Sequence, residues 1–221
     1  MNQQQPQPNY KFYATLLDAF SWYQQSESDN SEQEFIDKIN RVPVTDEKAL
    51  ERMNKGTALN DLVDEQLKST TLSMNGMLQK NGFEFDVYVV SELSNYLTGS
   101  VPQHYTETTI SIDGKSVLLY GYIDYVRQEK CIDLKTTSSY DLGKYKGSMQ
   151  RHLYPVSLFA EGVIVDEFEF LVTDFKSVFK ETYPVSFEES KSILVEQCRL
   201  LIDFLESKKH LITDKKIFAQ E

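Results

Sequence analysis

Apolar residues recur at three- and four-residue intervals over residues 12–25, where Leu16, Leu17, Phe20 and Tyr23 share one side, and this spacing predicts an amphipathic helix. A short helix is expected over 31–40, followed by a turn at Pro43. Thr45 then offers an N-cap, and Asp46 and Glu47 an acidic first turn, for a helix running to about Lys68. The Ser/Thr/Asn/Gly stretch over 69–81 breaks the pattern and reads as a loop or a short irregular helix. Residues 86–97 resume it, with Val89, Val90, Leu93 and Leu97 on the apolar side.

The period then changes from helical to alternating, which predicts strands over 104–112, 116–126 and 130–137, separated by turns at Asp113-Gly114 and at 127–129. Helical spacing returns over 146–163. Strands are expected over 168–174 and 178–185, and a long closing helix over 187–208. The order is that of a mixed α/β domain: helix, three strands, helix, strand, with extra helices at the N-terminal side and a long one at the C-terminal side. A single domain over 10–221 is expected, preceded by a disordered Gln/Pro tail over 1–9.

Composition narrows the function. With 221 residues, 40% hydrophobic and 12% aromatic, the chain can bury a substantial core. Neither a charged-then-apolar leader nor a bilayer-length apolar run is present, which predicts a cytoplasmic protein. Cys131 and Cys198 are too few for a disulfide framework, an iron-sulfur cluster or a structural zinc site. His104, His152 and His210 lack partners at ligand spacing. No Gly-rich phosphate loop and no Gly-x-Ser-x-Gly elbow occurs, which argues against ATP use and serine hydrolase chemistry. A formal charge of −11 excludes coating of nucleic acid over the whole surface. The charge is uneven, however: seven Lys/Arg stand against four Asp/Glu over 115–154, and five against eleven over 27–65. A small basic face on an acidic body suits an enzyme that handles a polyanion briefly, and a solvated surface with random charge scatter is the competing reading.

The candidate chemistry lies in the middle hairpin, GYIDYVRQEKCIDLKTT from Gly121 to Thr137. Strand alternation presents Asp133 and Lys135 on one face while Ile132 and Leu134 anchor the other. A short turn brings Asp124, on the preceding strand, beside Asp133. Two adjacent carboxylates repel unless a cation sits between them, and a hard ion such as Mg²⁺ or Mn²⁺ is the natural occupant. Lys135 beside it can orient water or offset charge on a phosphate. Without further signals, a solvated polar sheet face is the competing reading of these residues.

Further signals exist. Asp124 followed by Asp133-Leu134-Lys135 resembles the PD-(D/E)xK nuclease superfamily, whose restriction-endonuclease-like core has the same helix, three strands, helix, strand order. Gln150-Arg151-His152-Leu153-Tyr154 resembles the Gln-xxx-Tyr motif of its RecB-like branch, and Thr15 to Phe20 is similar to that branch's opening helix motif. Gly56-Thr57-Ala58-Leu59-Asn60 resembles its Gly-Thr-xx-His segment, with Asn60 in place of the metal-ligating His. An amide oxygen can hold a hard cation but brings no charge. Pro155 leaves open whether Gln150 and Tyr154 share a helical face.

The resemblance implies a metal-dependent hydrolase of DNA phosphodiesters, in which Asp124, Asp133, the main-chain carbonyl of Leu134 and Asn60 hold one or two Mg²⁺ or Mn²⁺ ions. Lys135 would act on the water or the phosphate, with Gln150 and Tyr154 binding substrate or supporting the site. It further implies an exonuclease of recombination, repair or phage DNA processing. An inactive DNA-binding protein on the same fold, and an endonuclease or RNA-directed nuclease, are the alternatives.

Overall fold

The computed structural model describes residues 7–68 and 76–219. Its elements run β1 (Tyr10–Tyr13), α1 (Ala14–Gln25), α2 (Ser31–Ile39), α3 (Glu47–Lys68), β2 (Met77–Lys80), β3 (Phe83–Asp86), α4 (Val87–Leu97), β4 (Val101–Ile112), β5 (Lys115–Arg127), β6 (Lys130–Thr136), α5 (Gln150–Ala160), β7 (Glu167–Thr173), β8 (Val178–Pro184) and α6 (Phe187–Ser207). The mixed α/β class and the order of its central elements are those read from the sequence.

A six-stranded mixed sheet runs β1-β5-β6-β7-β8, and β4 pairs along the other edge of β5. One side of the sheet is covered by α1, α5 and α6 around Phe12, Leu17, Phe20, Leu153, Phe168 and Leu201. The other is covered by α3 and α4 around Leu59, Val63, Leu93, Tyr125, Ile132 and Leu171. None of the described helices is long and apolar enough to cross a membrane.

Several expected boundaries move, each for a physical reason. The first helix begins at Ala14, because Tyr10–Tyr13 pairs parallel with β5, burying Tyr10 and Phe12 with period two. The expected tail ends earlier than residue 9: Asn9 donates its N–H to the Ser116 carbonyl and accepts the Ser116 N–H on its side chain, both at 2.7 Å. Residues 1–6 of that tail lie outside the described residues. So does 69–75 of the expected loop, but its end, with the residues that follow, forms a hairpin turning on Asn81-Gly82, both at positive φ. The cap of α3 is Asp46, which accepts the Lys48 N–H at 3.0 Å, rather than Thr45. The helix expected over 146–163 is shortened to Gln150–Ala160.

The site is positioned by one feature of β5. Its first half pairs with β1 through Val117, Leu118, Leu119 and Tyr120, and its last residues pair with β6 through Tyr125, Val126 and Arg127. Both neighbours occupy the same edge, leaving residues 121–124 between them with no ladder partner on that side. A sheet edge with unpaired backbone groups must be satisfied in another way.

Candidate active site

Asp124 sits in this gap. Its Oδ2 accepts the Leu134 N–H at 2.9 Å, so a side chain replaces the ladder bond where β6 leaves β5 beyond Tyr125 and Ile132. In a strand the N–H and C=O of one residue point the same way, so the Leu134 carbonyl also turns toward the gap. Asp133 precedes it and is almost fully buried, 2% exposed. Lys135 Nζ lies 2.7 Å from Asp133 Oδ2 and donates to Gln150 Oε1, also at 2.7 Å. Gln150 returns a bond from Nε2 to Asp133 Oδ1 at 2.8 Å and another to the Tyr154 hydroxyl at 3.3 Å. Gln150 and Tyr154 therefore share a helical face, and Pro155 lies one residue beyond it, inside α5. The five residues Asp124, Asp133, Lys135, Gln150 and Tyr154 converge on one place, as expected.

Close packing makes that convergence possible. At Gly121 an added Cβ would lie 2.8 Å from Tyr154 Cε1, so only glycine lets the ring reach β5. At Gly56 an added Cβ would lie 2.7 Å from Thr136 Oγ1, so α3 crosses directly against the end of β6. Two turns further along α3, Asp64 accepts the Tyr125 hydroxyl at 2.6 Å. Asn60 lies midway on the same i, i+4, i+8 stripe, between the residue that meets β6 and the one that bonds β5. Its Oδ1 is buried and accepts no hydrogen bond.

Electrostatics mark the same spot. The Asp124 carboxyl is pushed from 3.8 up to about 7, first by burial and then by the charge of Asp133. Lys135 is held above its ordinary value because the pull of Asp133 and Asp124 outweighs the cost of burial. Asp133 Oδ2 is buried, and its ion pair with Lys135 at 2.7 Å is its only polar contact among the described residues.

These features fit a hard divalent cation. Two carboxylates, an amide oxygen with no donor and a main-chain carbonyl are all oxygen ligands, the donor set Mg²⁺ and Mn²⁺ prefer. Among the described residues no three His, Cys, Asp or Glu side chains form a ready ligand cluster, so the set depends on Asn60 and Leu134.

Sequence reasoning missed Asp18. From α1 it accepts the Met149 N–H and, at 3.1 Å, the Ser148 hydroxyl, capping α5 just before Gln150, while its charge acts on Lys135. Burial raises its carboxyl. Of the seven basic residues over 115–154, Lys130 pairs with Glu167 and Glu169 and Lys135 with Asp133, while Lys144 bonds Thr137 and Ser139. Arg127 bonds the Tyr96 carbonyl and Arg151 lies over the Tyr183 ring. Two other acids that could have served as ligands lie apart: Glu92 is exposed on α4, and Glu107, also exposed, accepts the Tyr105 hydroxyl at 2.5 Å. His152 is buried against Ser190 at 3.1 Å, and burial lowers it to about 4.

No family model and no curated protein matches the chain. Sixteen chains of solved structures do, among them that of the crystal structure of SSO0001. It is 12% identical, with a TM-score of 0.48, over 89% of this chain and 79% of that one. A likeness this distant carries no statement about chemistry.

Proposed function

We propose that the protein is a metal-dependent DNA nuclease of the PD-(D/E)xK type, hydrolysing phosphodiester bonds at the gap between β5 and β6. The observation that supports it best is the pairing of Asp124 and Asp133 at the point where the strands part, with Lys135 anchored beside them by Asp133 and Gln150. In this reading Asp124, Asp133, the Leu134 carbonyl and Asn60 Oδ1 hold one or two ions. When bound, Mg²⁺ or Mn²⁺ supplies the Lewis acidity that activates water and offsets charge on the phosphate.

The chain's own groups do the rest. Lys135 keeps an N–H free of Asp133 and Gln150 to orient the attacking water or to meet a phosphate oxygen. Water adds to phosphorus, the bridging P–O bond breaks, and the departing oxygen takes a proton. Gln150 fixes Lys135 and Asp133 together, so its role is positioning. Tyr154 supports Gln150. An exonuclease acting on DNA in recombination, repair or phage processing is the form of activity the family resemblance favours. The two free, buried cysteines suit a reducing, cytoplasmic setting.

The test is incubation of the purified protein with labelled linear duplex and single-stranded DNA in Mn²⁺, Mg²⁺ or EDTA, beside Asp124→Ala and Lys135→Ala. Metal-dependent cleavage by the wild type alone is expected. Equal cleavage by the variants would place the chemistry elsewhere. DNA binding with no cleavage under any condition would favour a binding protein on this fold.

A further inference from the structure

Beside the site lies an open groove that the catalytic reading does not use. The side chains of β5 alternate, so Val117, Leu119, Gly121 and Ile123 are buried while Tyr120 and Tyr122 face out. Tyr105 on β4 is the cross-strand partner of Tyr122, and their rings sit 5.1 Å apart. Tyr122 is 59% exposed and Tyr105 43%, an aromatic pair left in water on a sheet surface.

Cations surround the tyrosines. Two adjoining hollows share Arg41 and Tyr120; one also carries Lys38, the other Lys11 and Lys216. Among the described residues Lys11, Lys38 and Lys216 pair with no acid, while Arg41 Nε binds Asp214 at 2.8 Å. Glu107 and Asp214 are the acids here, so the groove is net basic on a chain of charge −11. These cations come from distant parts of the sequence.

Arg41 stands just past the end of α2 with φ of 55°, a left-handed position that favours glycine. The inner end of the groove is formed by Gly121 and Tyr154, and Tyr154 bonds the same Gln150 that holds Asp133.

We propose that this groove binds single-stranded DNA, with bases stacked on Tyr105, Tyr120 and Tyr122 and phosphates on Lys11, Lys38, Arg41 and Lys216, and delivers the strand past Tyr154 to Asp124 and Asp133. The delivery step rests on the nuclease reading; the binding itself does not. A single strand is the occupant because only unpaired bases offer faces to a tyrosine, and a duplex keeps them stacked inside. Aromatic rings interleaved with cations are the combination such strands require.

Fluorescence anisotropy of the full chain in EDTA, with labelled oligothymidylate, oligouridylate and duplex DNA, tests this without turnover. Oligothymidylate should bind more tightly than duplex. Tyr105→Ala and Tyr122→Ala should each weaken it by about 5- to 150-fold, the range for one lost stacking contact. Tyr122→Phe should bind like the wild type, since the ring remains. Arg41→Gly relieves the left-handed backbone, so it should fold at least as stably while weakening binding and flattening the salt slope by about 0.7. Mn²⁺ affinity should be unchanged in all four.

Duplex binding as tight as single-strand binding, or tyrosine-to-alanine variants that bind like the wild type, would overturn the groove. Tighter binding of oligouridylate would overturn its assignment to DNA. Cleavage that survives with unaltered binding in Tyr122→Ala removes the groove and leaves the nuclease. Tyrosine-dependent binding by a protein that never cleaves does the reverse.

Discussion

Replacing Asp124 by asparagine in the metal-free protein isolates the cost of holding two acids together in a buried gap. The amide still offers an oxygen to the Leu134 N–H, so the 2.9 Å bond is retained while the charge is lost. In the wild type, burial and the charge of Asp133 raise the Asp124 carboxyl from 3.8 to about 7. The unfolded chain therefore releases this proton near the ordinary value, and the folded protein keeps it to about pH 7. Between those limits the folded state binds more protons, so stability falls as pH rises, by at most about 1.4 kcal/mol per pH unit. The contribution is complete below the unfolded value and gone above the folded one. Urea denaturation in EDTA should show Asp124→Asn gaining on the wild type from about pH 4 to about pH 7, by up to about 4 kcal/mol over the window, and then holding a constant lead. Adding Mg²⁺ should stabilise the wild type and leave the variant behind. A gap that stays constant across that range, or closes as pH rises, would refute the reasoning.

Other substitutions probe the packing that assembles the site. Gly121→Ala should cost about 1–3 kcal/mol in denaturant unfolding, because its methyl would meet Tyr154 Cε1 at 2.8 Å, and the cost should vanish in a Tyr154→Ala background. Lys135→Ala should abolish cleavage and lower stability by about 3 kcal/mol at neutral pH, since it leaves Asp133, 2% exposed, without its cation. Tyr125→Phe should cost about 1–2 kcal/mol by removing the 2.6 Å bond to Asp64, without changing the rate of cleavage at saturating substrate.

The parts of the fold that could be read from the sequence are those with long periodic signals. The helices over Ser31–Ile39 and Phe187–Ser207 and the strands around Asp124 and Asp133 stand close to where the pattern puts them. Tyr10–Tyr13 was hidden because four alternating residues merge into the helix that follows. The hairpin at Asn81-Gly82 carried a turn signal strong enough to find, yet the polar stretch before it masked the strands. The five central site residues were legible through short motifs placed on the right elements. Asp18 was not, because a lone acid on an amphipathic helix is indistinguishable from a solvated one until the fold brings Met149 and Ser148 to it. The cations of the groove, Lys11, Lys38 and Lys216, could not be grouped either, because they come from distant parts of the sequence and only the fold gathers them.

Calorimetric titration of Mn²⁺ into the full-length wild type, Asp124→Asn and Asp133→Asn addresses the shared cation itself. One or two ions should bind the wild type near neutral pH with release of protons, and each variant should lose affinity by at least about tenfold, the scale of one lost charged ligand. Equal affinities in all three proteins, or no binding to the wild type, would contradict the account.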